Sequence, residues 1–250
     1  MITRGKRAYY VVIYYLSWFF FGAVGLGLNL ACICLLPLPN RHARGNGVRA
    51  AIRILFDFWL KWLHASRAVR MRWHGFDEPL KPGTVYIANH PALIDATFLL
   101  ARLPNAVCIF KPSLMRNPVI GPAAIMAEYV SGDAGVDVIR AASEKVAQGC
   151  SILIFPEGTR TEPGGVPAPF KPGFAIIAAQ SRAPVQLILI RMTEATARGR
   201  PWWKVPAEMP IRVEITLDRR WEHVEERHAS VLTAEIEKRI SETLRVPATA

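Results

Sequence analysis

From Ala8 to Pro39 the chain carries no charged residue, a run of about thirty positions where roughly twenty suffice to cross the hydrocarbon of a bilayer. Such a run belongs in lipid, and the rest of the chain must fold around it. Its front is aromatic (Tyr9, Tyr10, Tyr14, Tyr15, Trp18, Phe19, Phe20, Phe21), which suits a membrane interface, and Gly22, Gly25 and Gly27 allow close packing or a bend. A cleavable signal fits poorly, because the stretch is too long and no A-x-A-like site closes it. A single span and a re-entrant hairpin both satisfy the length. Residues 1–80 hold 11 lysines and arginines against 3 acids, so 8 of the net +11 lies here, on both flanks of the apolar run. Basic flanks on both sides favour the hairpin, because a single span leaves one of them outside.

A second amphipathic element follows. Between Val48 and Leu63 the charges fall at every fourth position (Arg49, Arg53, Asp57, Lys61), and Ile52, Leu55, Phe56, Phe58, Trp59, Leu60, Trp62 and Leu63 fill the other faces. That pattern predicts a helix with a narrow polar stripe, lying in the interface or clamping the globular part to it. A helix packed in the core with one solvated edge gives the same pattern. The basic surplus suits anionic headgroups or an acidic carrier protein. Nucleic acid is not expected, since no aromatic-basic repeat or zinc-like spacing accompanies the charge.

The chemistry-bearing residues lie in two blocks. In Ala88-Asn89-His90-Pro91-Ala92-Leu93-Ile94-Asp95 a histidine stands where the apolar run Val85–Ala88 gives way to a proline-started segment. Pro91 suits the first helical position, and Asp95, about one turn further, leans back toward the His90 ring. A neutral imidazole is well matched to general-base work near pH 7, and a carboxylate on its second nitrogen fixes the tautomer. No serine or cysteine adjoins His90, so the proton it takes would come from a substrate hydroxyl. A capping histidine beside a solvated aspartate is the plainer reading. In the second block, Ser151–Phe155 reads as a buried strand ending in the turn Pro156-Glu157-Gly158-Thr159, followed by Arg160. Arg160 offers a planar fork of donors for a phosphate and Gly158 a close backbone approach. Glu157 either orients Arg160 or a substrate hydroxyl, or is a plain turn residue.

In these two blocks, N-H-x-x-x-x-D and F-P-E-G-T-R, the chain resembles the membrane glycerolipid acyltransferases typified by 1-acylglycerol-3-phosphate acyltransferase, from about Val85 to Ile190. Two weaker blocks also look similar: Phe110-Lys111 with Pro118 and Gly121, and Ala183-Pro184-Val185. The resemblance implies that His90 and Asp95 are catalytic, and that Lys111, Glu157, Gly158, Thr159 and Arg160 bind the acceptor. It also implies a membrane enzyme with a lyso-lipid acceptor and an acyl-ACP or acyl-CoA donor; with no nucleophile beside His90 no acyl-enzyme is expected, and the cysteine usage predicts a reduced catalytic domain that faces the cytoplasm, at the inner membrane if the source is bacterial. The chain departs from the pattern at Ala92 and Leu93, where many glycerophosphate-directed members carry a serine and often an aromatic residue, and at Pro112-Ser113 after Lys111. Another acceptor, such as lyso-ornithine lipid, therefore stays open. So do a lipid esterase and a non-catalytic lipid-binding protein.

The remainder reads as one α/β domain, with residues 1–68 forming the membrane-embedded segment plus interfacial helix and 69–250 the acyltransferase domain. Strands are expected at Val69–Trp73, Thr84–Ala88, Ala106–Phe110, Ser151–Phe155, Val185–Ile190 and Ile211–Leu217. Helices at Leu93–Ala101, Val136–Ala147 and Phe174–Ser181 join several of them, which favours a single mixed or largely parallel sheet flanked by helices. The spacing of Leu232, Ile236, Ile240 and Leu244 predicts a C-terminal amphipathic helix over Glu225–Arg245. The Pro- and Gly-rich stretch Thr161–Gly173 suggests a lid over the acceptor with Lys171 as a further cation, or an ordinary loop. Trp202-Trp203-Lys204 reads as an interfacial anchor or as packed aromatics. Cys32, Cys34, Cys108 and Cys150 look like buried small hydrophobes, with no disulfide expected. His64, His74, His223 and His228 are scattered, and phosphate-loop glycine motifs are missing, so no metal and no bound cofactor are expected.

Overall fold

A computed structural model describes residues 4–39, 41–118, 120–132, 135–161, 168–193 and 203–244. The apolar run is one continuous helix, α1 (Arg4–Leu35), with 32 residues and thus a length of about 48 Å. The glycines do not interrupt this helix, and the chain reverses at Leu36–Pro39, the end of the uncharged run, where two prolines follow the helix. The return arm is α2 (Arg41–Ala65). Trp59 Nε1 donates to Ser17 Oγ (3.1 Å), and the Phe21 and Trp59 rings meet at 5.0 Å. Aromatic residues at helical spacing on α1 thus find a matching aromatic row on α2.

The predicted polar stripe of α2 holds only in part. Arg53 and Lys61 are exposed, but Arg49 turns inward and is 4% exposed. Its Nε donates to Asn105 Oδ1 (2.6 Å) and its Nη1 to the Ala127 carbonyl (2.7 Å), with Asn46 a third partner. A buried guanidinium survives only when its donors are matched in this way. Val48, Ile52, Trp59, Leu60 and Leu63 enter the same core as the sheet, so packing runs unbroken across residue 68.

The sheet has seven strands in the order β1-β7-β6-β2-β5-β3-β4: β1 (Val69–His74), β2 (Val85–Ala88), β3 (Ala106–Phe110), β4 (Val130–Ser131), β5 (Ser151–Ile154), β6 (Val185–Met192) and β7 (Ile211–Trp221). From β6 to β4 all strands are parallel, whereas β7 runs antiparallel to β6 and β1 is parallel to β7, so the sheet is mixed. The buried hydrophobic runs Val85–Ala88 and Val185–Ile190 suit central strands covered on both faces. β4 has two residues, too few for any pattern to reveal, and β6 and β7 extend past the expected ends.

From β2 the chain steps outward through α3 (Asp95–Leu100) to β3, then through α4 (Pro112–Met115) and α5 (Gly121–Met126) to β4. It returns through α6 (Val136–Ala147) to β5 and through α7 (Gly173–Ser181) to β6. Right-handed crossovers in opposite directions put α3 and α5 on one face and α6 and α7 on the other. The long helices follow this division: α1 and α2 pack on α5, α2 on α3, and the C-terminal α8 (Ala229–Leu244) on α7. Adjacent strands β2 and β5 send their chains to opposite faces, which opens a crevice at their carboxyl ends.

Both ends of α1 are pinned to the globular part. Near its start, Tyr9 Oη donates to the Ser66 carbonyl (2.9 Å) and Tyr15 Oη to the Trp203 carbonyl (3.0 Å). Near its end, buried Asn29 accepts the Ala123 N–H (2.8 Å) and so satisfies a free donor in the first turn of α5. The opposite side of α1 presents Val12, Leu16, Phe19, Leu26, Leu30 and Ile33 outward, and 11% of its most apolar stretch is buried. Cys34 is on that outer side, whereas Cys32, Cys108 and Cys150 are buried, which corrects the expectation for Cys34.

Candidate active site

His90 lies two residues past β2 and Glu157 three past β5, so both stand at the mouth of the crevice. Helix α3 starts at Asp95, not at Pro91: residues 91–94 form a turn, because Asp95 Oδ2 accepts the Ala92 N–H (2.6 Å) and closes it. The same oxygen is 3.0 Å from His90 Nδ1. The predicted His-Asp pair is therefore present, brought together by a side-chain-closed turn rather than by helical leaning. It also means that the Ala92 N–H is committed to the aspartate and is no free donor for a substrate oxyanion. Asp95 is fully buried, and burial pushes its carboxyl up; the His90 hydrogen bond and charge, the Ala92 N–H and the charge of Arg160 act in the opposite direction. Its second oxygen, Oδ1, has no hydrogen-bond partner among the described residues.

The second block grips the first. Glu157 Oε1 accepts the His90 N–H (3.1 Å), the Thr161 N–H donates to the His90 carbonyl (2.9 Å), and Thr161 Oγ1 is 2.6 Å from Glu157 Oε2. Backbone groups on both sides of His90 are thus held by the turn after β5. Glu157 is 4% exposed with both oxygens engaged, so it faces the protein and not the open crevice. Phe155 stacks on the imidazole at 4.2 Å and 20° between ring planes. Asn89, the other polar residue of the first block, exchanges two hydrogen bonds of 2.8 Å with the backbone of Ile190 and so extends the pairing of β2 with β6 through its side chain.

Gly158 has φ +64°, a conformation that an L side chain resists, which explains a glycine at this turn. Arg160 and Thr159 are half-buried beside it. Lys111 is exposed just beyond β3, one strand from β5, with exposed Leu114 on the following helix; Leu93 is exposed in the turn after His90. Lys171 binds back through its N–H to the Pro156 carbonyl (3.2 Å), and its Nζ would come within 4.0 Å of a Cβ at position 158. Most of the proposed lid, residues 162–167, lies outside the described residues, as does Trp202; Trp203 is half-exposed against α1. Phe155 and Thr161 were not singled out from sequence. The available signal was position: each flanks a strand-end turn, one by a ring and one by a hydroxyl.

Glu157 carries a pH consequence. Burial raises its carboxyl above the usual 4.5, against the Thr161 and His90 hydrogen bonds. A raised carboxyl favours the folded state while protonated and costs stability as the pH rises through its folded value. Glu157→Gln keeps an acceptor for the His90 N–H and removes the charge. Its melting temperature relative to the parent is expected to rise between pH 4 and pH 7; a constant difference would mean that the carboxylate is not strained by burial.

A family model described as Acyltransferase matches residues 70–191. A 1-acyl-sn-glycerol-3-phosphate acyltransferase of Cocos nucifera is 30% identical over 74% of this chain and 59% of its own length, and one of Helicobacter pylori is 29% identical over 67% and 70%. The chain thus spans about three fifths of the plant relative. The crystal structure of the LPA acyltransferase PlsC from Thermotoga maritima superposes with a TM-score of 0.67, covering 99% of this chain and 100% of that one at 20% identity, which establishes a shared fold. With both sequence blocks meeting in one crevice of that fold, residues 70–191 of this chain belong to the Acyltransferase family, and the chain is similar to the 1-acyl-sn-glycerol-3-phosphate acyltransferases.

Proposed function

We propose that the chain is a membrane-bound O-acyltransferase that moves a fatty acyl group from acyl-ACP or acyl-CoA to the free hydroxyl of a lyso-lipid, with 1-acylglycerol-3-phosphate as acceptor and phosphatidic acid as product. The observation that carries the reading is the His90 Nδ1 to Asp95 Oδ2 contact of 3.0 Å, which leaves Nε2 as the basic nitrogen on a side chain 21% exposed to the crevice. Nε2 takes the acceptor's hydroxyl proton while the oxygen attacks the thioester carbonyl. The tetrahedral intermediate then breaks its carbon–sulfur bond, and the imidazolium returns the proton to the leaving thiolate. Asp95 holds the tautomer and balances the transient positive charge. No acyl-enzyme is needed, and the nearby Thr161 hydroxyl is already committed to Glu157.

Arg160, Thr159, Gly158 and Lys111 receive the acceptor phosphate, two cations and a glycine turn at neighbouring strand ends. Glu157 is assigned to bracing the His90 backbone. Residues 1–68 attach the protein to the bilayer and 69–250 perform the transfer on the cytoplasmic side. Because α1 is docked near both ends, with an apolar outer face, it lies along the bilayer surface instead of threading it. The test is purified protein with a labelled acyl thioester and a panel containing 1-acylglycerol-3-phosphate, lyso-ornithine lipid and other lyso-lipids. Label in phosphatidic acid supports the proposal, transfer to another acceptor replaces its substrate, and hydrolysis or no reaction defeats it.

A further inference from the structure

A cavity of about 520 Å³ opens where the first turns of α1 meet the end of α2 and the start of β1, away from the His90 crevice. Lys6, Arg67 and Arg70 line it, together with Tyr9, Tyr10 and Ser66. Among the described residues no carboxylate lines it, and the three cationic side chains have neither an ion pair nor a hydrogen bond. The Tyr9 hydroxyl bond to the Ser66 carbonyl (2.9 Å) closes one wall by tying the two helices together. Three unneutralised cations converging on one concavity set up a positive potential that an anion relieves.

Position decides which anion. The wall contributed by α1 lies at the start of its apolar face, and the next outward residues are Val12, Leu16 and Phe19. Lysine and tyrosine at such a boundary sit at headgroup depth, with hydrocarbon beginning immediately beyond. Arg67 has φ +56°, a backbone conformation better suited to glycine, yet the position that lines this cavity carries a cation. β1 begins at the sheet edge where β2, β5 and β6 end, so the cavity opens on the same edge as His90. It is three strand spacings from β2, a lateral offset of about 14 Å.

We propose that this cavity binds the phosphate of an anionic phospholipid headgroup, as a site separate from the acceptor site, with the lipid's chains packing against the apolar outer face of α1. A lipid held there fixes the catalytic edge against the bilayer. The inference does not depend on the transferase reading, because it is read by binding and not by turnover.

The test is calorimetric titration of the full chain in nonionic detergent with dihexanoyl phosphatidylglycerol, dihexanoyl phosphatidylcholine and inorganic phosphate. Saturable one-to-one binding of the phosphatidylglycerol is expected, with Lys111→Gln binding as the parent does. Combining Arg67→Gly with Arg70→Gln should weaken it about thirtyfold, at roughly 1 kcal/mol per lost cation. The Arg67→Gly change should leave the melting temperature equal or higher by relieving the positive φ, which separates lost binding from lost folding. Lys6→Gln provides a second, independent reduction. Unchanged binding in the double variant overturns the proposal, as does equal affinity for inorganic phosphate, which would make the site one for free anions, or for phosphatidylcholine, which would remove the charge requirement.

Discussion

His90→Ala is expected to lower acyl transfer by roughly a thousandfold while the protein stays folded and membrane-associated, the scale on which a positioned general base contributes. Among the described residues the imidazole pairs with Asp95 and stacks on Phe155, and its backbone clamps do not involve the side chain. Removing it therefore subtracts the base without opening the turn, which Asp95 still closes through the Ala92 N–H. Asp95→Asn should also reduce turnover, by about a hundredfold, since it keeps the shape but removes the charge that balances the imidazolium. Turnover and melting curves on the same preparations check both. Near-normal transfer by the His90 variant would refute the general-base role, and a collapsed melting curve would turn His90 into a structural residue.

Arg49→Met is expected to have the opposite profile, a large loss of stability with no atom touching the crevice. Arg49 joins α2 to the turn before β3 through Asn105 and to the end of α5 through the Ala127 carbonyl, with the Glu128 carboxylate 3.6 Å away. Asn105 (φ +46°) and Glu128 (φ +58°) both adopt left-handed backbone conformations, so the side chain holds two unfavourable turns in register. Deleting one partner of a buried charged cluster costs about 3–5 kcal/mol, because the remaining groups are left buried and unmatched. For a chain of this size that is a fall in melting temperature on the order of 10 °C. Arg49→Lys should recover little of it, since a point charge cannot reproduce the fork that reaches three acceptors. A shift below a few degrees would mean that water or a neighbour replaces the fork readily.

These two residues show why one was legible and the other was not. His90 stands at a break in apolar pattern, next to a proline and five positions from a carboxylate, and those are local signals. Arg49 sits in a regular four-residue spacing of charges that suggests a solvated stripe, and nothing local separates it from Arg53. Its partners, at 105 and 127, are far along the chain. The same distinction explains Glu157. A glutamate in a turn reads as solvent-facing or substrate-facing, but its partners are the His90 N–H and the Thr161 hydroxyl, brought together only once β2 and β5 pair. The short β4, α4 and α5 went unseen because two to six residues carry too little periodicity.

By itself the sequence determined the lipid-directed run, most strand positions, the α/β class and the pairing of a histidine with an aspartate, since all of these depend on neighbours within about one turn or one strand. Tertiary structure decided that the apolar run forms one continuous helix docked along the domain, that Asp95 meets His90 through a closed turn, and that the second block grips the backbone of the first. Those outcomes depend on which strands become neighbours. Strand order is set by the total burial of both sheet faces and the handedness of crossovers, quantities that belong to the whole chain and to no local stretch of it.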